Sequence, residues 1–182
     1  EEQRTGSMTF GAGFSSVDSF IGFVEVTQGN FDLFNWPSFT GGGQKMRLRA
    51  QMGAERQDYE LTFIEPWFMG KKLALSVDLY HRELSYVSEN DYYDERRTGV
   101  RFGLSRALGS DFLIGGVSYT LENIGIFDVP IDAPQSIKDE EGDRLVSKVG
   151  LSLAFDTSNS VLLPDRGQRT EARVELAGGP FG

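Results

Sequence analysis

The sequence has no cysteine, a single histidine and no long apolar run. Without cysteine the chain cannot form a disulfide scaffold, a thiolate zinc site or a cysteine nucleophile. No stretch reaches the roughly 18 to 20 consecutive apolar residues of a membrane helix, so a membrane can be met only at its surface or through strands. Cations are scarce, with 18 Lys and Arg against 27 Asp and Glu. We therefore expect no nucleic-acid partner, because phosphate binding requires clustered positive charge.

The length of 182 residues is that of one domain or of part of a larger one. The chain opens Glu1-Glu2-Gln3-Arg4, without a start methionine and without a charged and then apolar leader. We therefore expect that an export signal or a preceding domain has been removed, and that these residues are a piece of a longer polypeptide.

Apolar and polar residues alternate along most of the chain, which is the period typical of β-strands. In residues 45–52, for example, Met46, Leu48 and Met52 alternate with cations and a glutamine. The pattern predicts an all-β chain of nine strands, at approximately 4–15, 20–28, 44–53, 58–64, 72–84, 97–105, 111–122, 144–156 and 168–178. The second strand is ambiguous, because its apolar residues fall on both parities. The short connections predict antiparallel neighbours.

Alternation alone fits either a soluble sandwich, whose apolar face is buried, or a membrane barrel, whose apolar face meets lipid. The predicted strands are long enough to cross a bilayer at a tilt, which favours an antiparallel transmembrane β-barrel. Their polar faces carry glycine and charges of both signs, as a water-filled lumen with neutralising pairs would. The charges predicted to line this lumen are Arg47, Arg49, Arg101, Glu171 and Arg173. A soluble sandwich acting as a binding module is the weaker alternative.

Aromatic residues collect at the ends of the predicted strands. Rings that combine an apolar body with a polar group favour the headgroup level of a bilayer. The residues predicted to lie at this interface are Trp36, Trp67, Phe68 and Tyr80.

The connections also indicate which side of the membrane each strand end faces. The fifth and seventh connections, residues 85–96 and 123–143, are long and polar, as the extracellular loops of bacterial barrels are. The second connection, residues 29–43, lies on the opposite side and yet is long and aromatic. It could fold back on the membrane interface or contact a partner.

Several segments, in order, resemble one protein family. They are the opening strand at 5–16, Gly29-Asn30-Phe31, the segment 63–68 that closes the fourth strand, the segment 156–167 with Pro164 and Gly167, and the end at 176–180. This order is similar to the BamA family, the central subunit of the outer-membrane β-barrel assembly machinery. The resemblance spans the whole chain but only the first half of a sixteen-stranded barrel. The family's POTRA domains, its sixth-loop Arg-Gly-Phe or Arg-Gly-Tyr motif and its last strand lie outside these residues.

The resemblance implies a non-enzymatic factor of the bacterial outer membrane that folds and inserts β-barrel clients. It implies that the first strand forms a lateral gate to which a nascent strand pairs, and the residues concerned are Gly6, Ser7, Met8, Thr9, Phe10, Gly11, Ala12 and Gly13. The implied partners are outer-membrane lipids, nascent β-barrel proteins and accessory lipoproteins. The glycines could weaken the gate or merely relieve crowding in a curved wall. A transport pore or translocation channel of the same barrel superfamily is the alternative function.

Other candidate sites are weak, and we predict no catalytic residue, metal site or cofactor. His81 and Asp78 are three residues apart and would point to opposite faces of a strand. The segment 41–45 has glycines and a lysine but lacks the spacing of a phosphate loop and leads into a strand. The acidic segment 139–143 lacks the alternate spacing of a calcium loop.

Overall fold

The computed structural model describes residues 5–15, 19–87, 92–131, 133–158 and 167–178, which form one antiparallel sheet of nine strands. Each strand pairs with the next one in the chain, and the order is β1 to β9. The strands are β1 (Gly6–Ser15), β2 (Ser19–Phe31), β3 (Gln44–Gly53), β4 (Arg56–Glu65), β5 (Ala74–Val87), β6 (Tyr92–Ala107), β7 (Leu113–Phe127), β8 (Gly142–Asp156) and β9 (Arg169–Ala177). The predicted all-β class is confirmed. Arg4, Ser16, Pro164, Gly179 and Pro180, which the sequence analysis used, lie outside the described residues.

Two short helical segments lie in the connections. A 3₁₀ turn occupies Phe68–Gly70 after β4, and a one-turn helix, α1, occupies Gln135–Lys138 between β7 and β8. Neither segment is long and apolar enough to cross a membrane.

The strand register sorts the side chains into an apolar face and a polar face. An apolar row crosses five strands through successive register partners, namely Leu48, Leu61, Leu79, Val100 and Leu121. The next row also crosses five strands, through Arg49, Glu60, Tyr80, Gly99 and Glu122. Since neighbouring rows point to opposite sides of a sheet, the alternation seen in the sequence becomes two chemically distinct surfaces.

The apolar face does not form a hydrophobic core. Among the residues that the structure describes, Phe31 is the one apolar side chain that is buried, with 7% of its surface exposed. In a soluble sandwich the apolar face would be packed against a second layer. The soluble alternative is therefore wrong, and the exposed apolar surface is that of a barrel wall facing lipid.

The polar face is concave. Arg101 on β6 approaches Glu175 on β9, with 4.0 Å between Nη2 and Oε1, although three strand spacings of about 4.8 Å separate the two strands. Glu60 on β4 and Glu175 on β9 line one cleft together. We call the concave polar surface the inner face and the convex apolar surface the outer face. The described sheet is not closed, and β1 and β9 are its two edges.

The structure corrects the predicted length of the fifth connection. Residues 85–87 and 92–96 continue β5 and β6, so the predicted loop at 85–96 is wrong for most of its length. The extension is polar, but its charges complement one another across the strands, since Arg96 Nε donates to Glu83 Oε1 at 2.7 Å. Cross-strand ion pairs of this kind allow a polar segment to remain in a sheet.

The ambiguity of the second strand also has a structural explanation. Ile21 and Phe23 pair with Gly13 and Gly11 and share the inner face with Glu25. Val24 and Val26 lie on the outer face, and the register shifts between Gln28 and Phe31. Both parities carry apolar residues because aromatic and aliphatic side chains of β2 cover the inner side of β1.

Candidate functional site

The first candidate site is the open edge of β1. Gly29 N donates to Thr5 O at 2.9 Å, and the register then runs without a shift from Gly6 opposite Gln28 to Ser15 opposite Ser19. In an antiparallel pair, successive residues direct their backbone groups to alternate sides. The odd-numbered residues of β1 therefore bond to β2, whereas Gly6, Met8, Phe10, Ala12 and Phe14 direct their N–H and C=O groups away from it, towards the edge that is open in the described sheet.

The side chains of β1 follow the same alternation. Met8, Phe10 and Phe14 lie on the outer face and are exposed, Phe10 with 77% of its surface. Ser7, Thr9, Gly11 and Gly13 lie on the inner face. The segment Gly6–Ser15 has no charged residue, so β1 is held to β2 by the backbone ladder and a few side-chain contacts. One of these joins Ser7 Oγ to Thr27 Oγ1 at 2.6 Å.

The two inner glycines of β1 have different surroundings. A Cβ atom at Gly11 would lie 2.5 Å from Cε1 of Phe23, so the phenyl ring occupies the space above this glycine. The guanidinium carbon of Arg49 lies 5.6 Å from the centre of that ring, and Arg49 in turn lies 4.0 Å from Glu25. At Gly13 the nearest atom to a Cβ is 3.9 Å away. Steric crowding therefore explains why a glycine is needed at Gly11, but it does not explain the glycine at Gly13.

The second candidate site is the charged inner face. Arg47 pairs with Glu60, and Arg82 lies between Asp58 at 3.8 Å and Glu60 at 3.5 Å. Arg173 lies 3.2 Å from Glu171 on β9. All five charges predicted for a lumen thus lie on the polar face, and each lies within 4.0 Å of an opposite charge. That this face encloses water stays a prediction.

Sequence reasoning missed Glu122, which is the most buried charged residue among those that the structure describes on the inner face. It is 4% exposed, and its carboxylate accepts hydrogen bonds from Lys148 and from Tyr80 Oη, the latter at 2.8 Å. The prediction that Tyr80 lies at the membrane interface is therefore wrong. Its ring lies over Gly99, where a Cβ atom would come within 2.6 Å of Tyr80 Oη. The sequence feature that could have placed Tyr80 on the inner face is its even position in the strand, which it shares with the charged residues Asp78 and Arg82.

The other predicted interface aromatics lie together at one end of the sheet. Trp36 belongs to the connection between β2 and β3, and Trp67 and Phe68 belong to the connection between β4 and β5. Trp36 and Trp67 are exposed, with 78% and 55% of their surfaces accessible. Their contact with lipid headgroups stays a prediction.

In the structure, residues of two of the weaker candidate sites make contacts with neighbouring side chains. His81 lies on the outer face, where its Nδ1 is 2.7 Å from Thr98 Oγ1, whereas Asp78 faces Arg101 on the inner side. Glu140 in the acidic segment pairs with Arg144 at 2.8 Å. Within the described ranges, no group of three or more His, Asp or Glu side chains could hold a metal ion.

Comparison with known proteins places these features in a family. Residues 38–182 match the Omp85 superfamily domain. The outer membrane protein assembly factor BamA of Nitratidesulfovibrio vulgaris is 26% identical over the whole chain, and that of Neorickettsia risticii is 22% identical over 98% of it. The sorting and assembly machinery component 50 homolog B of Xenopus laevis is 27% identical over 88% of the chain. The chain spans 21%, 23% and 34% of the length of these relatives.

A solved structure shares the fold. The crystal structure of BamA from Haemophilus ducreyi lacking POTRA domains 1–3 superposes with a TM-score of 0.65 at 17% identity. The match covers the whole chain and 35% of the solved one. The bacterial relatives are outer-membrane proteins, and the predicted location in the bacterial outer membrane is thereby confirmed. With the nine-stranded sheet, its lipid-facing outer surface and a family match over most of its length, the chain belongs to the Omp85 superfamily.

Proposed function

We propose that this chain is part of an outer-membrane assembly factor in which β1 is the lateral gate that receives a strand of a nascent β-barrel protein. The observation that carries the proposal is the open edge of β1, with a run of backbone groups directed away from β2. Two relatives that match 100% and 98% of the chain are named as assembly factors, and they support the same role. The proposed role is non-enzymatic.

An open strand edge can pair with client strands of many different sequences. Backbone N–H and C=O groups are common to all sequences, so a strand can be added without recognition of particular side chains. The residues of β1 that direct these groups to the edge also carry its outer side chains, including Met8 and Phe10. A client strand added there would continue the lipid-facing surface, and its backbone groups would be paired before they meet lipid.

The two edges of the described sheet are not equivalent, and this difference supports β1 as the gate. Glu175 of β9 reaches Arg101 three strands away, which ties β9 to the inner face. Gly6–Ser15 carries no charge and makes no such pair. Gly13 has no side chain although space exists for one, and glycine weakens a strand interior. β1 is therefore the edge with fewer side-chain ties to the rest of the sheet.

The partners follow from the proposed role. Outer-membrane lipids would contact the outer face, nascent β-barrel proteins would pair with β1, and accessory lipoproteins would belong to the same assembly complex. A transport pore receives less support, because the predicted lumen charges lie beside opposite charges and would hold one another in place. Constitutive ion conductance by the full protein without client insertion would favour the pore.

A proline substitution in β1 tests the gate directly. Ala12 directs its N–H to the open edge, so Ala12→Pro removes one hydrogen bond to a client while leaving the bonds to β2. Proline is tolerated at such edge positions. The loss of one hydrogen bond, about 1 kcal/mol, should lower client insertion about fivefold. The matched control is Ala12→Val, which keeps the N–H and should insert clients normally.

The readout is insertion of a β-barrel client into lipid vesicles by the full-length protein. Heat-dependent mobility on a gel verifies that each variant is itself folded. If folded Ala12→Pro protein inserts clients as fast as Ala12→Val protein, clients do not pair with this edge and the gate proposal is wrong.

A further inference from the structure

The connection between β2 and β3, residues 32–43, folds over the outer face, and we call it the aromatic loop. Leu33 N donates to Gln44 Oε1 at 2.9 Å, and the ring of Phe39 stacks on Phe31 with 5.8 Å between centres. Phe31 also contacts Phe63 edge to face. Phe31, Gln44 and Phe63 all belong to the outer face, since Phe31 pairs with Gln44 and Phe63 pairs with Met46. The aromatic loop thus turns outward and buries Phe31 and Gln44.

Many backbone polar groups of the aromatic loop form hydrogen bonds within the loop itself. Phe39 N donates to Asn35 O at 2.7 Å, and Asp32 N donates to Phe39 O at 3.0 Å. The Asn35 side chain donates to Thr40 O at 2.7 Å. Two further bonds tie the end of the loop to Asn30, from Gly41 N at 3.0 Å and from Gly43 N at 2.9 Å. Backbone groups that are paired internally lower the cost of leaving water.

A polar pair lies on the outer face beneath the aromatic loop. Gln44 Nε2 donates to Glu65 Oε2, and Trp67 N donates to Glu65 Oε1, both at 2.9 Å. An amide and a carboxylate that face lipid are costly unless they are paired and covered. The aromatic loop supplies part of this cover, because Leu33 N donates to Gln44 Oε1, the single oxygen of the side-chain amide.

The aromatic loop presents large exposed apolar side chains beside short polar side chains that carry no charge. Phe34 is 87% exposed and Trp36 is 78% exposed, and residues 33–43 contain no charged side chain. Trp67 and Met69, which are also exposed, lie in the next connection at the same end of the sheet. The ring of Trp36 is continuous with the lipid-facing outer surface, because it contacts Phe39, which stacks on Phe31, which in turn contacts Phe63.

We propose that the aromatic loop is a preformed membrane anchor that inserts Phe34 and Trp36 into the headgroup region of the adjacent leaflet. The occupant is lipid, because the loop lies on the lipid-facing side of the wall, carries no charge in 33–43 and presents an indole, which favours the bilayer interface. The sequence left membrane and partner open for this connection, and the outward fold favours the membrane. The anchor does not depend on client insertion.

Tryptophan quenching tests the anchor in the full-length protein. The protein is reconstituted in phosphatidylcholine vesicles, and the emission of Trp36 is taken as the difference between the parent protein and its Trp36→Phe variant. Trp36→Phe keeps an aromatic ring at an exposed position, so folding should not change. Trp67→Phe gives the matched difference for the neighbouring connection.

With phosphatidylcholine brominated near the headgroup end of its acyl chains, the Trp36 component should fall about twofold or more, because an interfacial indole lies within contact distance of the bromines. Acrylamide in the aqueous phase should quench it only weakly. Strong quenching by acrylamide and none by brominated lipid would place Trp36 in water or against a soluble protein, and would overturn the anchor. A protein that still inserted clients in that case would retain its proposed function.

Discussion

Gly11 and Gly13 lie two residues apart on the same face of β1, and yet they have different physical reasons to be glycine. The ring of Phe23 fills the space above Gly11 and is itself covered by Arg49, so this glycine allows an aromatic side chain to lie across two strands. A similar arrangement recurs where Tyr80 lies over Gly99. Gly13 has open space, so its absent side chain is not required by packing. The sequence left weakened gate and relieved crowding as alternatives, and the structure assigns crowding to Gly11.

We expect Gly11→Ala and Gly13→Ala to differ in stability. The added methyl at position 11 would displace Phe23 from its place beneath Arg49, at a cost of about 1 kcal/mol. The methyl at position 13 meets no atom closer than 3.9 Å, and alanine weakens a strand less than glycine does, so this variant should raise the free energy of unfolding by about 0.5 kcal/mol. Urea unfolding of the full protein in detergent, with Gly13→Ala as the control, measures the difference. Equal midpoints would show that Phe23 does not depend on Gly11.

At the scale of the element, β1 has one side bonded to β2 and one side open in the described sheet. The register from Gly6 to Ser15 is unbroken, so the hairpin of β1 and β2 can stay intact while the other side of β1 exchanges partners. The aromatic loop is a second element with a defined direction, because its contacts with Phe31 and Gln44 turn it outward. Both features depend on which face each residue occupies, and a shift of one residue in register would reverse them.

We expect that a disulfide between β1 and β2 will leave client insertion intact. Ala12 and Gly22 are register partners on the outer face in a pair without mutual hydrogen bonds, where Cα atoms are about 4.5 Å apart and can be bridged. The bond in an Ala12→Cys, Gly22→Cys variant locks the hairpin but leaves the opposite side of β1 free. These 182 residues contain no other cysteine that could compete for the bond.

Insertion of clients into vesicles, compared before and after reduction of this variant, gives the measurement. Equal rates in both states support exchange at the open edge. Inhibition that reductant relieves would instead show that β1 must separate from β2 for the client to enter.

At the scale of the whole molecule, the sheet has no apolar interior, and its stability depends on what surrounds it. Apart from Phe31, the apolar side chains of the described residues are not buried, whereas the inner face is a network of ion pairs around a concave surface. Lipid on the convex side and water on the concave side would satisfy both surfaces. For this reason the same alternation of polar and apolar residues places the apolar face inward in a soluble sandwich and outward in a membrane barrel.

We expect two adjacent residues of β7 to differ in their access to water. Ser118 lies on the inner face, where Arg101 Nη2 donates to its Oγ at 3.3 Å, and Val117 lies on the outer face. In intact membranes, a water-soluble maleimide should label a Ser118→Cys variant of the full protein and leave a Val117→Cys variant unlabelled. Both replacements are similar in size to the native residue, and detergent denaturation should make both cysteines reactive. Labelling of Val117→Cys alone would invert the assignment of the two faces.

The sequence by itself determined the β class, the number of strands and the membership of most residues in a polar or an apolar row, because a period of two is a local property. It also indicated the family, through the order of short segments along the chain. The polar extension of β5 and β6 was not predicted, because a polar run resembles a loop until its cross-strand charge partners are known.

Only the tertiary structure decided the contacts between residues far apart in the chain. The pairing of Arg101 with Glu175, the burial of Glu122 by Tyr80 and Lys148, and the outward fold of the aromatic loop all depend on register and curvature. Register and curvature arise from the pairing of all nine strands together. No local pattern encodes them. For this reason the hydrogen bond between Tyr80 and Glu122 was not predicted, although the even parity of Tyr80 indicated the inner face.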